Sequence, residues 1–374
     1  MNDTALPRAS IARSERIGLT GERRDFLRLV RRGALLELIT AGFYRFWLTT
    51  DIRHSLWSST SIEGHAFEYT GTAKELLIGF LFALAILVPI YLVYFLIGIE
   101  AERVKAFASI PLILFFYAFG QFAIFRARRY RTTRTVWRGV RFWMSGSGWA
   151  YSWRACLWGL LTLLTLGLAL PWRASALEDY KMRHLHYGDL PARFEGTGWA
   201  LFKRTWLWVL SLPMVTLPFT YPAYKAALWR WWVSGVRFGE VRFESDLRTG
   251  SLMGLYWAAI GWTTLLVIAD IIVMTVVITV AVLFGGKLGG ASAMLLFSRQ
   301  HPYLILGANI ANYLALALCI GVVVRVYLLR GLWERVVTST TAYDLNRADY
   351  VRVAGVLASA LGEGFADGLD VAGF

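Results

Sequence analysis

The sequence contains little cysteine, histidine and charge, and these shortages exclude several kinds of protein. Among 374 residues there are two cysteines, five histidines and nine prolines, and only 17% are Asp, Glu, Lys or Arg. Cys156 and Cys319 both lie in apolar runs, so neither a disulfide framework nor a Cys/His zinc site is expected. No HExxH motif, Gly-rich phosphate loop or nucleophile elbow occurs. We therefore expect no metal, no cofactor and no enzymatic activity.

Apolar residues and positive charge are present in excess. Hydrophobic residues make up 57% of the chain, the mean hydropathy is +0.49, and there are 17 tryptophans. The net charge is +14. In a soluble protein this charge would suggest nucleic acid, but in so apolar a chain it is typical of loops beside anionic lipid headgroups. The expected partner is the lipid bilayer, with no role for nucleic acid.

Several apolar runs reach the length of about 20 residues that a helix needs to cross a bilayer. They are residues 76–99, 106–125, 151–172, 251–284 and 304–329. The run 199–224 is weaker because cations and prolines interrupt it, and 34–48 is short enough for a partial or re-entrant element. These runs predict a polytopic α-helical membrane protein with six or seven transmembrane helices.

A short motif occurs twice, 75 residues apart. Its copies are Thr60, Gly64, Phe67, Gly71 and Thr72, and then Thr135, Gly139, Phe142, Gly146 and Ser147. Looser copies contain Phe194 and Phe243, the latter in the role of Phe67. Glycine at a recurrent turn supplies a positive φ at low cost, so each copy predicts a β-hairpin. The hairpins are expected near residues 57–72, 132–147, 185–198 and 233–246.

Repetition indicates that one unit, a membrane helix plus a small polar hairpin, was reused along the chain. Lone hairpins are marginal in water. The small cytoplasmic hairpins therefore either pair into a sheet on one membrane face or remain independent interfacial turns. The expected organisation is a basic N-terminal segment, 1–32, and one repeat-built membrane domain, 33–374, with an acidic C-terminal segment, 362–370.

One basic segment, 126–141, indicates the orientation because it contains seven arginines and no acidic residue. By the positive-inside rule it is cytoplasmic, and its arginines are candidates for contact with anionic lipid. A role in topology alone needs no ligand and stays an alternative. A partial first element would keep both the N-terminus and residues 49–75 on this side. The arginines are Arg126, Arg128, Arg129, Arg131, Arg134, Arg138 and Arg141.

Polar residues inside apolar runs are the candidate functional sites. Asp270 is flanked by apolar residues on both sides, and ionisable groups at membrane depth are usually paired or functional. Asn309, Asn312 and Gln121 are further candidates for the same polar interior. The structural alternative for Asp270 is an ion pair with Arg325.

An acidic cluster lies near the C-terminus. Glu363, Asp367 and Asp370 share one helix face by their spacing. They suit a divalent cation or, as we favour, salt bridges with the segment 126–141.

Several motifs in order resemble a known family. They are Gly-Phe-Tyr-Arg-Phe-Trp at 42–47, Thr-Gly-Thr-Ala-Lys-Glu at 70–75, Leu-Leu-Thr-Leu-Gly at 163–167 before Pro-Trp at 171–172, and the acidic segment 362–370. Together they resemble the YjgN-like bacterial inner-membrane proteins (domain of unknown function 898). The resemblance implies a multi-pass inner-membrane location and no established activity.

Two functions follow from the residues. The first is transport or permeation of a small solute or ion through a polar helix-bundle interior. The alternative is a lipid-contacting scaffold or envelope-associated interaction protein without transport.

Overall fold

Short strands and longer helices alternate along the chain. The computed structural model describes residues 14–100, 102–210, 213–285, 299–355 and 357. In these ranges the strands are β1 (Ser14–Arg16), β2 (Gly18–Leu19), β3 (Thr60–Ile62), β4 (His65–Tyr69), β5 (Thr135–Trp137), β6 (Val140–Met144), β7 (Leu185–Tyr187), β8 (Leu190–Phe194), β9 (Val236–Phe238), β10 (Val241–Ser245) and β11 (Thr340–Tyr343). The helices are α1 (Arg23–Ile39), α2 (Arg45–Ser59), α3 (Ala73–Glu100), α4 (Glu102–Thr133), α5 (Gly148–Leu164), α6 (Leu170–Arg183), α7 (Gly198–Leu210), α8 (Pro213–Gly235), α9 (Thr249–Gly285) and α10 (Pro302–Thr338).

The strands form one antiparallel sheet that closes on itself. Neighbours pair in the order β1-β11-β10-β9-β8-β7-β6-β5-β4-β3-β2. Only Ile17 separates β1 from β2, and its N–H donates to the carbonyl of Thr340 at 3.0 Å. The two edges of the sheet therefore belong to one continuous stretch of chain, and the sheet becomes a ring. Closure removes the unpaired backbone groups that an open edge would expose.

A helix pair connects neighbouring strands of this ring five times. The order strand–helix–helix–strand runs from β2-α1-α2-β3 to β10-α9-α10-β11. The flanking strand ends face each other in the ladder, as with Tyr69 and Thr135 or Phe194 and Val236. Both helices of each pair therefore meet the ring at one rim, the helix rim, while the hairpin turns form the opposite turn rim. Below, α1, α3, α5, α7 and α9 are the outgoing helices and α2, α4, α6, α8 and α10 the returning helices.

The repeated Gly-Thr and Gly-Ser pairs cap the outgoing helices. Thr72 and Glu75 form a capping box, in which each side chain accepts a hydrogen bond from the other residue's N–H at 3.4 and 3.3 Å. Ser147 and Thr197 each accept from the N–H three residues later, at 3.4 and 3.2 Å. These bonds satisfy N–H groups that have no partner inside the helix. The end of the motif is thus explained by local helix chemistry.

The hairpins predicted from the sequence are confirmed, and they pair with one another. Gly64, Gly139, Gly188 and Gly239 lie at the turns, and all have positive φ. Ladders join successive hairpins across long sequence separations, as between Phe67 and Trp137. Of the two arrangements considered, the sheet is therefore the one that forms.

Aromatic side chains fill the interior of the ring. Trp137 and Tyr187 are buried, and their ring centroids lie 5.5 Å apart. Phe142 packs 4.6 Å from Tyr187, and Phe67 lies 6.1 Å from Trp137. The Tyr187 hydroxyl donates to the carbonyl oxygen of Trp137 at 3.0 Å, which satisfies the one polar group of that side chain. The ring is therefore a packed core.

In the third copy of the motif, the phenylalanine lies two residues later than in the first copy. In the ladders Ala192 faces Phe238, where Phe67 faces Trp137. Phe194 lies two residues further along, at the helix rim, and packs against Trp231 at 5.0 Å. The residue equivalent to Phe67 in this copy is therefore Ala192.

The predicted fold class, a polytopic α-helical membrane protein with six or seven transmembrane helices and small cytoplasmic hairpins, is wrong. The part of the chain that the structure describes has four helices long and apolar enough to cross a membrane. They are Ala73–Leu96, Ser109–Thr133, Thr249–Val280 and Pro302–Thr338. In addition, an 11-stranded sheet unites the hairpins. Two helix pairs, α3–α4 and α9–α10, contain the four long helices.

The run 151–172 is not one spanning helix because a turn divides it. Leu166 and Gly167 have φ values of 49° and 91°, which end α5. The Thr165 hydroxyl donates to the carbonyl of Leu161 at 2.8 Å and accepts from the N–H of Ala169 at 3.1 Å. The short run 34–48 contains the same turn, with the Thr40 hydroxyl in the corresponding role. The weaker run 199–224 includes most of α7 and the first part of α8.

A segment after β11 covers the turn rim. Leu345 and Ala348 are buried with the aromatic core of the ring. Arg138 bonds Asp349 at 2.6 Å, and the N–H of Arg352 donates to the carboxylate of Asp189 at 3.0 Å. These contacts hold residues 345–352 against the hairpin turns.

We predict that Gly188→Ala releases this segment, whereas Gly64→Ala does not. Both glycines have positive φ, so each alanine should cost about 1–2 kcal/mol of unfolding free energy. A Cβ at Gly188 would also overlap the carbonyl oxygen of Arg352, while nothing lies within 4 Å at Gly64. Hydrogen exchange of amides 345–355 should accelerate in Gly188→Ala only. Equal exchange in the two variants would contradict this account of the segment.

Candidate functional site

A cavity of about 650 Å³ lies at the helix rim among the returning helices. Its wall includes Trp57 of α2, Trp333 of α10 and Thr135 at the start of β5. The remaining wall comes mostly from α4, α6 and α8. The volume falls in the range of about 300–1,000 Å³ that is typical of small-molecule sites.

The wall is mainly apolar and aromatic, with an excess of cations. Its aromatic residues are Trp57, Tyr151, Tyr224, Trp229, Trp231, Trp232 and Trp333. Its aliphatic residues are Ile124, Leu170, Ala174, Leu177, Leu228, Leu332, Val336 and Val337. Its charged residues are Arg128, Arg131, Arg173, Glu178, Lys181 and Lys225.

One carboxylate joins three returning helices at the cavity wall. Glu178 of α6 pairs with Arg128 of α4 at 3.0 Å and with Lys181 one turn further along its own helix. The indole N–H of Trp232, on α8, donates to the same carboxylate at 3.1 Å. Such charge-assisted bonds are stronger than neutral ones. Glu178 is therefore the side chain that fixes the relative positions of α4, α6 and α8.

The surroundings of Glu178 keep it ionised. Burial alone would raise the pKa of this carboxyl, but the charges of Arg128 and Lys181, with hydrogen bonds from Lys181 and Trp232, outweigh burial and lower the pKa to about 2. Burial lowers the pKa of Lys181, and Glu178 opposes that effect. The three groups form an ionised network.

Two further cations of the wall have no carboxylate partner in the described part of the chain. Arg173 donates to the Tyr117 hydroxyl at 2.9 Å, but its buried Nε has no hydrogen-bond partner. Lys225 lies over the ring of Tyr221, 5.4 Å from its centroid. The wall thus carries positive charge beyond what Glu178 balances.

The arginines of 126–141 do not form a loop. They lie on the last turns of α4 and on the hairpin β5–β6. Arg134 pairs with Glu75 at 2.5 Å and Arg138 with Glu63 at 2.6 Å. Arg141 donates to the carbonyl of Thr133 at 2.6 Å. Much of this charge is therefore bound within the fold.

The remaining arginines of this segment are divided between the cavity and the helix end. Arg128 and Arg131 line the cavity, and Arg129 donates to the carbonyl of Gly146 at 3.4 Å. Arg126, on the same helix, is half-buried.

The intramembrane polar candidates lie elsewhere. Asn312 of α10 donates to the carboxylate of Asp270 on α9 at 3.5 Å, which brings two of them together. Asn309 is exposed and donates to the carbonyl of Ile305. Gln121 lies on α4, and none of the four lines the cavity. Arg325, the alternative partner of Asp270, pairs instead with Glu37 at 2.9 Å.

The acidic cluster Glu363, Asp367 and Asp370 lies outside the described residues. Among the residues that are described, no group of three His, Cys, Asp or Glu side chains is arranged for a metal ion.

Sequence reasoning missed the cavity residues of α6. Leu170, Arg173, Ala174, Leu177, Glu178 and Lys181 follow the spacing of one helix face. The signal was obscured because half of this face is charged, and because the run 151–172 was taken as a single helix that ended where α6 begins.

Comparison with known proteins places the chain in a family. A family model described as "Bacterial protein of unknown function (DUF898)" matches residues 14–219 and 205–351. These matches cover most of the chain, and the protein belongs to this family, as its sequence motifs indicated. No curated protein and no solved structure matches it.

We predict that Glu178→Gln destabilises the protein strongly at neutral pH, by about 3 kcal/mol, because it leaves the buried Lys181 and the partly buried Arg128 without a balancing carboxylate. The folded pKa of Glu178, about 2, lies below the ordinary 4.5. Its stabilising contribution is therefore present above about pH 4.5 and is lost as the pH falls towards 2. The difference between wild type and Glu178→Gln in unfolding free energy should shrink over that interval.

Asp179→Asn is the matched control. Asp179 pairs with Arg183, whose side chain is 71% exposed, and exposed pairs contribute less than about 1 kcal/mol. A loss of stability as large in Asp179→Asn as in Glu178→Gln would contradict the role given to the buried network.

Proposed function

We propose that the protein is a multi-pass protein of the bacterial inner membrane that binds a lipid-like amphiphile in the cavity at the helix rim. This is the lipid-contacting alternative of the sequence analysis, narrowed to one site. The observation that carries it is a cavity whose wall combines aromatic and aliphatic side chains with several cations. A small number of precisely placed charged groups in a mainly apolar wall is typical of sites that bind and orient a ligand.

The helix lengths support the membrane location. The two long pairs, α3–α4 and α9–α10, contain helices that suffice to cross a bilayer and return. In the short pair α5–α6 the tip is apolar and exposed; Leu163, Leu164 and Leu166 are 72%, 72% and 93% exposed. Such a tip suits insertion into one leaflet. All five pairs meet the same rim, so the ring lies on one side of the membrane.

The charge supports a cytoplasmic ring. The arginines of 126–141 lie at the helix rim and on the hairpin β5–β6, and positive residues beside membrane helices favour the cytoplasmic side. The first helix pair returns to the ring, so the N-terminal strand and residues 60–69 share that side. The recurrence of strand–helix–helix–strand supports the interpretation that one unit was reused.

We expect purified wild type to retain bilayer lipid, and Ala174→Phe to lose most of it. Ala174 lines the cavity, whereas Ala176 on the same helix does not. The larger ring at 174 should occupy the ligand's space. Lipid extracted from purified wild type, Ala174→Phe and Ala176→Phe is quantified by mass spectrometry. Absence of lipid from wild type, or equal lipid in the two variants, would overturn the proposal; unfolding midpoints show that the variants are folded.

Transport through a polar interior stays a prediction from the sequence. The packed aromatic interior of the ring and the position of Asp270 outside the cavity give it no support. We expect liposomes containing wild type or Asp270→Asn to show equal, negligible flux of protons and small solutes. Flux above protein-free liposomes that Asp270→Asn abolishes would restore the transport hypothesis.

A further inference from the structure

We infer that the cavity selects an amphiphile with an anionic headgroup, phosphate or carboxylate, which is bound between Arg173 and Lys225. This inference rests on the proposed function and names the chemistry of its ligand. The charges of the wall provide the first argument. Five cations, Arg128, Arg131, Arg173, Lys181 and Lys225, line the cavity together with one carboxylate, Glu178.

The network around Glu178 leaves Arg173 and Lys225 as the groups available to a ligand. Glu178 is engaged by Arg128 and Lys181. Within the described residues neither Arg173 nor Lys225 pairs with a carboxylate, although both face the same cavity. Both side chains are partly buried, and a partly desolvated cation is stabilised by an anion or by several acceptors. The anionic group of a ligand would supply these acceptors.

The Arg173 side chain is prepared for an acceptor. The Tyr117 hydroxyl holds its guanidinium through one terminal nitrogen at 2.9 Å. A guanidinium presents its N–H groups as a planar fork that matches phosphate and carboxylate oxygens. A ligand oxygen bound by the Arg173 guanidinium at the cavity wall would balance its charge.

Arg173 and Lys225 lie at the same depth. Each is ten residues before the end of its returning helix, Arg183 for α6 and Gly235 for α8. At the helical rise this places both about 15 Å from the helix rim. The layer nearer to the ring contains Trp231, Trp232 and the ionised network. The anionic group therefore has two cations at one level, and the apolar part of the ligand has aromatic and aliphatic walls.

The experiment compares two lipids with the same acyl chains, phosphatidylglycerol and phosphatidylcholine. Delipidated protein in detergent is titrated with each, and dissociation constants are measured by native mass spectrometry. Wild type should prefer phosphatidylglycerol, and Arg173→Gln or Lys225→Gln should each reduce this preference by about fivefold, the effect of one basic residue near anionic lipid. Lys203→Gln is the control, because Lys203 is exposed and does not line the cavity.

Each outcome has a separate meaning. If neither lipid binds, the proposed function fails; if both bind equally to wild type, only the anionic selectivity is overturned. Millimolar inorganic phosphate should not displace phosphatidylglycerol, and displacement would identify a free-anion site instead. Should Arg173→Gln not fold, Lys225→Gln and the salt dependence of the wild-type preference test the same claim, since salt weakens an ionic contribution. A preference that neither substitution nor salt reduces would overturn it.

Discussion

Closure of the strand ring is the constraint on which the rest of the structure depends. Each helix pair begins and ends on neighbouring strands of one rim, as at Tyr69 and Thr135, so every outgoing helix must be followed by a helix that returns. The length of a helix pair can therefore vary while the two strand ends that it joins stay in place. Long pairs and short pairs share the same scaffold for this reason, and the short pair α5–α6 needs only the turn from Thr165 to Gly167. The returning helices also converge at the rim, which places the cavity there.

Local chemistry was readable from the sequence, whereas the ring was not. The turn glycines and the Thr or Ser caps act on residues within four or five positions. The roles of Gly64 and Ser147 therefore depend on the local sequence alone. Pairing of Ser14 with Tyr343 joins residues at opposite ends of the chain, and no local pattern encodes it. The run 151–172 was misread because apolar length alone does not reveal a turn. Its Thr-Leu-Gly sequence matches Thr-Ala-Gly at 40–42, and that likeness was the available signal.

The partners of the charged residues were likewise not predictable from the sequence. Seven arginines in 126–141 were candidates for contact with anionic lipid, and the sequence does not show which acids lie near them. The fold brings Glu75, Glu63 and Glu178 to these arginines from three other segments. A buried pair of this kind stabilises less than its distance suggests, since desolvation offsets much of the attraction. Such a pair favours one arrangement of the helices over others. Arg134 reaches Glu75 only when α3 and α4 are correctly paired.

The cations of the cavity wall differ from the other basic residues in their partners. Arg134 pairs with Glu75 and Arg138 with Glu63, so carboxylates of the same chain balance their charges. Arg173 faces a cavity where Glu178 is already held by two cations. Arg173 and Lys225 are partly buried cations at one level of one cavity, and neither pairs with a carboxylate in the described part of the chain. Since an unbalanced cation destabilises the folded chain, the arrangement makes physical sense when an anion from outside the chain completes it.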